Sequence, residues 1–148
     1  MQRYIGLDVH AASTTMAVVG PSGKRLGQEV SETTAQALIE RLKAVAGERY
    51  VCMEEGTQSS WLYELLSPHA AEVVVVMRSE RTRGPKQNKN DEHDAYLLAE
   101  MLRTGQAQPR VFKEQGSFQR LRELARVYTM VMRDVVRVQN RIKVPNAN

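Results

Sequence analysis

The stretch YIGLDVHAAST, residues 4–14, sets a carboxylate, Asp8, inside an apolar, glycine-bearing run. Read as a strand, Ile5, Leu7 and Val9 line one face, and Tyr4, Gly6 and Asp8 line the other. At the centre of a sheet both faces are covered. An ionised carboxylate there is costly unless it is paired, hydrogen-bonded or bound to a metal. The remainder of the chain has to supply that partner.

Working outward, residues 2–9 read as a first strand and TTMAVVG, residues 14–20, as a second. GPSGK at 20–24 is a turn signal, and RLGQEV, residues 25–30, follows as a third strand. Three strands joined by short connections make an antiparallel meander. TTAQALIERLKAVAG, residues 33–47, then puts Leu38, Ile39, Leu42, Val45 and Ala46 on one helical face. Thr33 or Thr34 caps that helix and Gly47 ends it. ERYVCMEE, residues 48–55, is a fourth strand. SSWLYELL, residues 59–66, is a short helix whose Trp61 and Tyr63 are expected to pack on the sheet. AEVVVVM, residues 71–77, is apolar throughout, as a parallel strand covered on both faces would be. The order predicts an α/β fold with a five-stranded mixed sheet and helices on both faces.

Beyond the fifth strand, residues 78–90 carry Arg78, Arg81, Arg83, Lys86 and Lys89 against a lone Glu80. With Gly84 and Pro85 this reads as a basic loop. DEHDAYLLAEMLRTG, residues 91–105, is helical, with Ala95, Leu98, Ala99 and Leu102 as its apolar stripe. SFQRLRELARVYTMVMRDVVRVQNRIK, residues 117–143, reads as one long helix. Its Phe118, Leu121, Ala125, Tyr128, Met132, Val135 and Ile142 fall on coiled-coil steps, interrupted at Gln139. Two regions are therefore expected: a domain over 1–108 and a long helix with its tail over 109–148.

Composition narrows the function classes. A chain of 148 residues with 42% hydrophobic and 26% charged residues suits one globular domain. Its single cysteine, Cys52, builds neither a disulfide framework nor a cysteine-rich zinc site, which suits a cytoplasmic protein. No apolar run is long enough to cross a bilayer. The net charge of +4 hides a split. Residues 1–77 hold 6 Lys+Arg against 9 Asp+Glu, a net −3, whereas residues 78–148 hold 15 against 8, a net +7. A basic second half points to a polyanion, most simply nucleic acid.

The acids then fall into a pattern. A fourth strand added beside the first, and parallel to it, brings Asp8 and Glu54 close together. Asp91 and Asp94, three apart at a helix start, share one helical face and precede the core stripe, so they aim at the sheet. Four carboxylates in one cleft stay ionised only around cations. Oxygen ligation selects magnesium or manganese over zinc, and a pair of such ions suits phosphodiester chemistry.

YIGLDVHAAS, CMEEGTQSSWLYELL, KNDEHDAYLLAEML and the long helix resemble the N-terminal region of the DEDD transposases of insertion-sequence family 110 and the related pilin-gene invertase. The similarity runs from about residue 3 to residue 143. It implies a ribonuclease-H-like domain of the Holliday-junction-resolvase type and a recombinase that cuts and joins DNA. In insertion-sequence members a structured RNA guides that reaction. Asp8, Glu54, Asp91 and Asp94 match the tetrad as metal ligands, with Glu55 the alternative to Glu54. Magnesium or manganese is the implied cofactor, and the basic loop is the candidate nucleic-acid contact. The long helix becomes a coiled-coil segment, a route to a homo-oligomer, leading to a second domain with a nucleophilic serine. That domain is expected after residue 143, where this sequence reads VPNAN. Ser13, Ser59 and Ser60 lack the matching context. A non-enzymatic reading takes the same residues as a recombinase piece that binds nucleic acid or dimerises through 117–143. IGLDVHAAST also resembles, weakly, the first phosphate loop of actin-like ATPases. That loop needs a glycine soon after its Asp, and Val9–Ala12 supplies none.

Overall fold

Alternation of side chains along three successive strands builds the first half of the sheet. β1 (Gln2–Val9), β2 (Ser13–Val19) and β3 (Arg25–Glu32) pair antiparallel, with Asp8 opposite Thr15 and Gly6 opposite Ala17. α1 (Ala35–Ala44) returns the chain so that β4 (Glu48–Glu54) adds beside β1 and parallel to it. α2 (Ser59–Leu66) and a short 3₁₀ turn then lead to β5 (Glu72–Val76), parallel to β4. The sheet order is β3-β2-β1-β4-β5, a mixed five-stranded sheet with helices on it. This computed structural model describes residues 1–77, 91–108, 110–111 and 117–143. The side chains of 91–92, 117–120, 122–123 and 142–143 lie outside that description.

Each face of the sheet has its own core, because neighbouring residues of a strand point to opposite sides. On one face Ile5, Leu7, Val51 and Met53 pack with Leu38 and Leu42 of α1 and Leu62 and Leu66 of α2. On the other, Cys52, Val74 and Val76 pack with Leu98 and Leu102 of α3 (Asp91–Arg103), with Tyr4 and Tyr50 against them. Thr34 caps α1 by accepting from the Ala37 amide at 3.3 Å, one of the two caps read from sequence. Trp61 departs from expectation. The period of α2 sends Leu62 and Leu66 inward, with Tyr63 packed beside them, and leaves Trp61 on the outer side, 38% exposed.

α3 is tied to the sheet at two depths. Gly6 has no side chain, and the α3 backbone fills the space: a Cβ there would collide with the Ala95 carbonyl and stand 2.7 Å from the Ala99 nitrogen. Further along, the Arg25 guanidinium sits 4.3 Å over the Tyr96 ring, and Arg103 donates to the Pro21 carbonyl at 3.3 Å. After α3, Arg110 bridges to Val76 and the Val111 amide donates to Val75 at 2.7 Å, so the chain runs along the β5 edge.

The described residues up to Val111 form one compact unit. The second unit contains α4 (Ser117–Lys143), whose described apolar side chains, among them Leu124, Tyr128 and Val135, are exposed. Among the described residues no helix is long and apolar enough to cross a membrane.

Candidate functional site

The register of β1 on β4 places the first two acids. Gly6 pairs with Cys52 and Leu7 with Met53, so Asp8 and Glu54 come at the next step, side by side at the carboxyl ends of adjacent parallel strands. Leu7 and Met53 point to the α1/α2 face. Asp8 and Glu54, one residue on, therefore turn to the α3 face. Both line a cavity of about 390 Å³ with His10 and Glu55. Ligands of open α/β sheets collect at this end of the strands.

Asp8 is only partly withdrawn from water, its side chain 21% exposed, and its Oδ2 lies 3.1 Å from His10 Nε2. The imidazole lines the cavity from a backbone held by hydrogen bonds. The His10 amide donates to Ser13 at 2.9 Å, and the His10 carbonyl accepts from the Thr33 hydroxyl at 2.9 Å. Thr33 spends its one hydroxyl proton on that carbonyl, so the buried Thr14 hydroxyl donates to Thr33 across 2.9 Å. The turn from β1 into β2 is thereby held from beneath.

The Glu54–Glu55 doublet separates by parity. Glu54 is the last residue of β4 and pairs with Val76. Glu55 continues past the strand, its amide donating to the Val76 carbonyl at 2.8 Å. Its Oε2 lies 3.0 Å from the buried Ser59 hydroxyl, whose one proton it shares with the Gly56 carbonyl at 2.8 Å, and this holds the carboxylate near the start of α2.

The direction of α3 follows from its contacts. Tyr4, two residues before Gly6, lies in the cluster with Leu98, Met101 and Leu102, whereas Gly6 meets Ala95 and Ala99. Moving up β1 toward Asp8 therefore moves back along α3 toward its first turn. Asp94, half-buried, immediately precedes Ala95 at that end. Asp91 opens the helix, and its side chain lies outside the description. Among the described residues, no group of three or more His, Cys, Asp or Glu side chains is gathered tightly enough to hold a metal ion. The structure thus brings Asp8, Glu54 and Glu55 to one cavity and Asp94 to the helix packed over β1. Arg78, Arg81, Arg83, Lys86 and Lys89 lie outside the described residues.

The donors at this end of the sheet are chiefly carboxylate oxygens, a set suited to magnesium or manganese, with His10 the one nitrogen beside them. The single thiol is no competitor. Cys52 is buried in the α3-side core, and burial pushes its thiol up to about 12, far from a thiolate. Two positions escaped the reading of the sequence. Gly6 carried a signal, since an isolated glycine in a strand marks close backbone approach. Thr15, buried opposite Asp8, carried none, because β-branched residues are ordinary in strands.

A family model described as transposase, that of the DEDD transposases of insertion-sequence family 110, matches residues 5–144. No curated protein matches the chain.

Proposed function

Because the chain belongs to the DEDD transposase family of insertion-sequence type 110, we propose that it is the ribonuclease-H-like part of a recombinase that cleaves and transfers DNA strands with divalent cations. The observation that carries this reading is the position of Asp8 and Glu54, one step beyond the Leu7–Met53 pair at the carboxyl ends of β1 and β4.

In this reading Asp8, Glu54, Asp91 and Asp94 would hold magnesium or manganese, which would supply activation of an attacking oxygen and charge neutralisation at the leaving one. The chain's own residues do the rest. The adjacent strands set the spacing of Asp8 and Glu54, and α3, docked on β1 through Ala95 and Ala99, carries Asp94 just before that contact. The turn at His10 and the loop at Glu55–Ser59 wall the cavity and limit water at the reacting phosphate. The basic loop at 78–90 supplies Arg and Lys to the DNA backbone, or to a structured guide RNA. Helix α4, whose described apolar side chains are exposed, serves as a coiled-coil seam between copies.

Calorimetric titration of the chain with manganese chloride tests the centre. Wild type is expected to bind, and the double change Asp8→Asn with Glu54→Gln is expected to abolish the heat while the protein stays folded. Equal binding by both proteins would sink the proposal.

A further inference from the structure

Thr15 stands on the other side of Asp8 from Glu54. It is the Cα partner of Asp8 in the antiparallel β1–β2 pair, and both side chains face α3. Cross-strand partners on one face have Cβ atoms about 4.5–5.5 Å apart, so one turn of χ1 brings a Thr15 hydroxyl within reach of the Asp8 carboxylate. Thr15 is 4% exposed. Its neighbour Thr14, on the opposite face, has its hydroxyl bonded to Thr33. Among the described residues the Thr15 hydroxyl has no hydrogen-bond partner.

A buried hydroxyl left unmet costs about 1–3 kcal/mol. Valine has the same shape and suits a central strand at least as well. Threonine is therefore a poor choice here on packing grounds alone, and an unmet buried polar group calls for an explanation such as an absent ion or water. The acceptor at hand is Asp8, whose Oδ2 is now turned to His10. Each carboxylate oxygen accepts more than one bond, so Asp8 can meet a cation on the Glu54 side and also accept from a donor on the Thr15 side.

We infer that Thr15 is a positioning residue for the cation centre: its hydroxyl donates to the Asp8 carboxylate when a divalent ion is held between Asp8 and Glu54. This rests on the metal-centre reading above. Hydrogen bonds of this kind orient a ligating carboxylate, and their loss typically costs tenfold or more in metal affinity. Val30, beside Thr15 on β3, has no polar group to take its place.

The test compares wild type, Thr15→Val and Thr15→Ser by two measurements: manganese titration by calorimetry, and thermal melting in chelator. Thr15→Val is expected to bind manganese about tenfold more weakly. Its melting temperature in chelator is expected to equal or exceed that of wild type, since the hydroxyl it removes has no partner among the described residues. Thr15→Ser is expected to restore the affinity. Wild-type affinity in Thr15→Val overturns the inference. So does a loss of affinity matched by a lower melting temperature in chelator and not rescued by serine, which would mark a packing role. Failure of the underlying reading looks different: folded wild type itself gives no manganese heat, and both statements then fall.

Discussion

Gly6 and Ala95 meet backbone to backbone, with the Ala95 carbonyl occupying the space where a side chain at Gly6 would begin. This contact lies two residues before Asp8 on the strand and one residue after Asp94 on the helix. The separation of sheet and helix at the candidate centre is therefore set by an atom that is missing. Ala99 completes the contact, its nitrogen 2.7 Å from where a Cβ would stand.

Gly6→Ala is accordingly expected to force α3 away from β1. Neither obstructing atom belongs to a flexible side chain, so the strain cannot be relieved by a rotamer change. Overpacking of this type costs about 1–3 kcal/mol, and backbone contact puts this case at the upper end. Urea unfolding followed by circular dichroism reads the loss. A variant as stable as wild type would show that α3 is not docked on Gly6.

The two glutamates that end β4 are expected to answer differently. Glu54→Gln should weaken manganese binding by at least about tenfold and leave the melting temperature in chelator nearly unchanged. Glu55→Gln should spare manganese and loosen the start of α2, since it weakens the 3.0 Å bond from Ser59. Exchange of amide hydrogens over residues 56–60 would report that loosening. The reverse pattern would make Glu55 the ligand.

Asp94→Asn keeps the size of the side chain and removes its charge. Manganese-dependent nicking of supercoiled plasmid is expected to vanish, with DNA retention in a gel nearly unaltered. Nicking at the wild-type rate would remove Asp94 from the centre.

Cys52 provides a probe of pH. Its folded value of about 12 lies above the ordinary 9.0, chiefly through burial. Above pH 9 the unfolded thiol gives up its proton while the folded one keeps it, so the unfolded state binds fewer protons and stability falls as pH rises. The fall from this group runs from about pH 9 to about pH 12, with a slope of at most about 1.4 kcal/mol per unit. Urea midpoints of wild type and Cys52→Ala across that range isolate it, and the alanine variant is expected to decline less steeply. Parallel curves would refute the assignment.

Charge reversal at Arg81, Arg83 and Lys86 together is expected to weaken DNA binding and to flatten its dependence on salt. Every phosphate that goes without a neutralising side chain lowers the slope of log affinity against log salt by about 0.9 on duplex DNA. Filter binding over a range of salt concentrations measures it, and an unchanged slope would place the DNA-binding surface elsewhere.

Much of this architecture is legible in the residues because burial writes itself into periodicity. The alternation in YIGLDV and the unbroken VVVV of β5 identify a half-polar strand and a doubly covered one, and β4 takes its place beside β1 as the order of elements requires. Asp8 stood out for the same reason, as a charge in an apolar run. What stayed hidden depends on which neighbour a residue meets. The parity of Glu54 against Glu55 follows from where β4 begins its pairing, which one strand alone does not encode. Trp61 looks like core by type, yet lies outside because the α2 stripe is already filled by leucines. The strand-like pairing of Arg110 with Val76 is a single bridge, with no pattern of its own to read.

The crossovers that put β4 beside β1, and α3 over both, also set a timetable. Glu54 follows Asp8 by 46 positions and Asp94 follows Glu54 by another 40, so the acids leave the ribosome in three instalments. A nascent chain halted before α3 owns the sheet's carboxylates without the helix that covers them. Under the proposed function the centre is complete only once translation has passed residue 103, the end of α3.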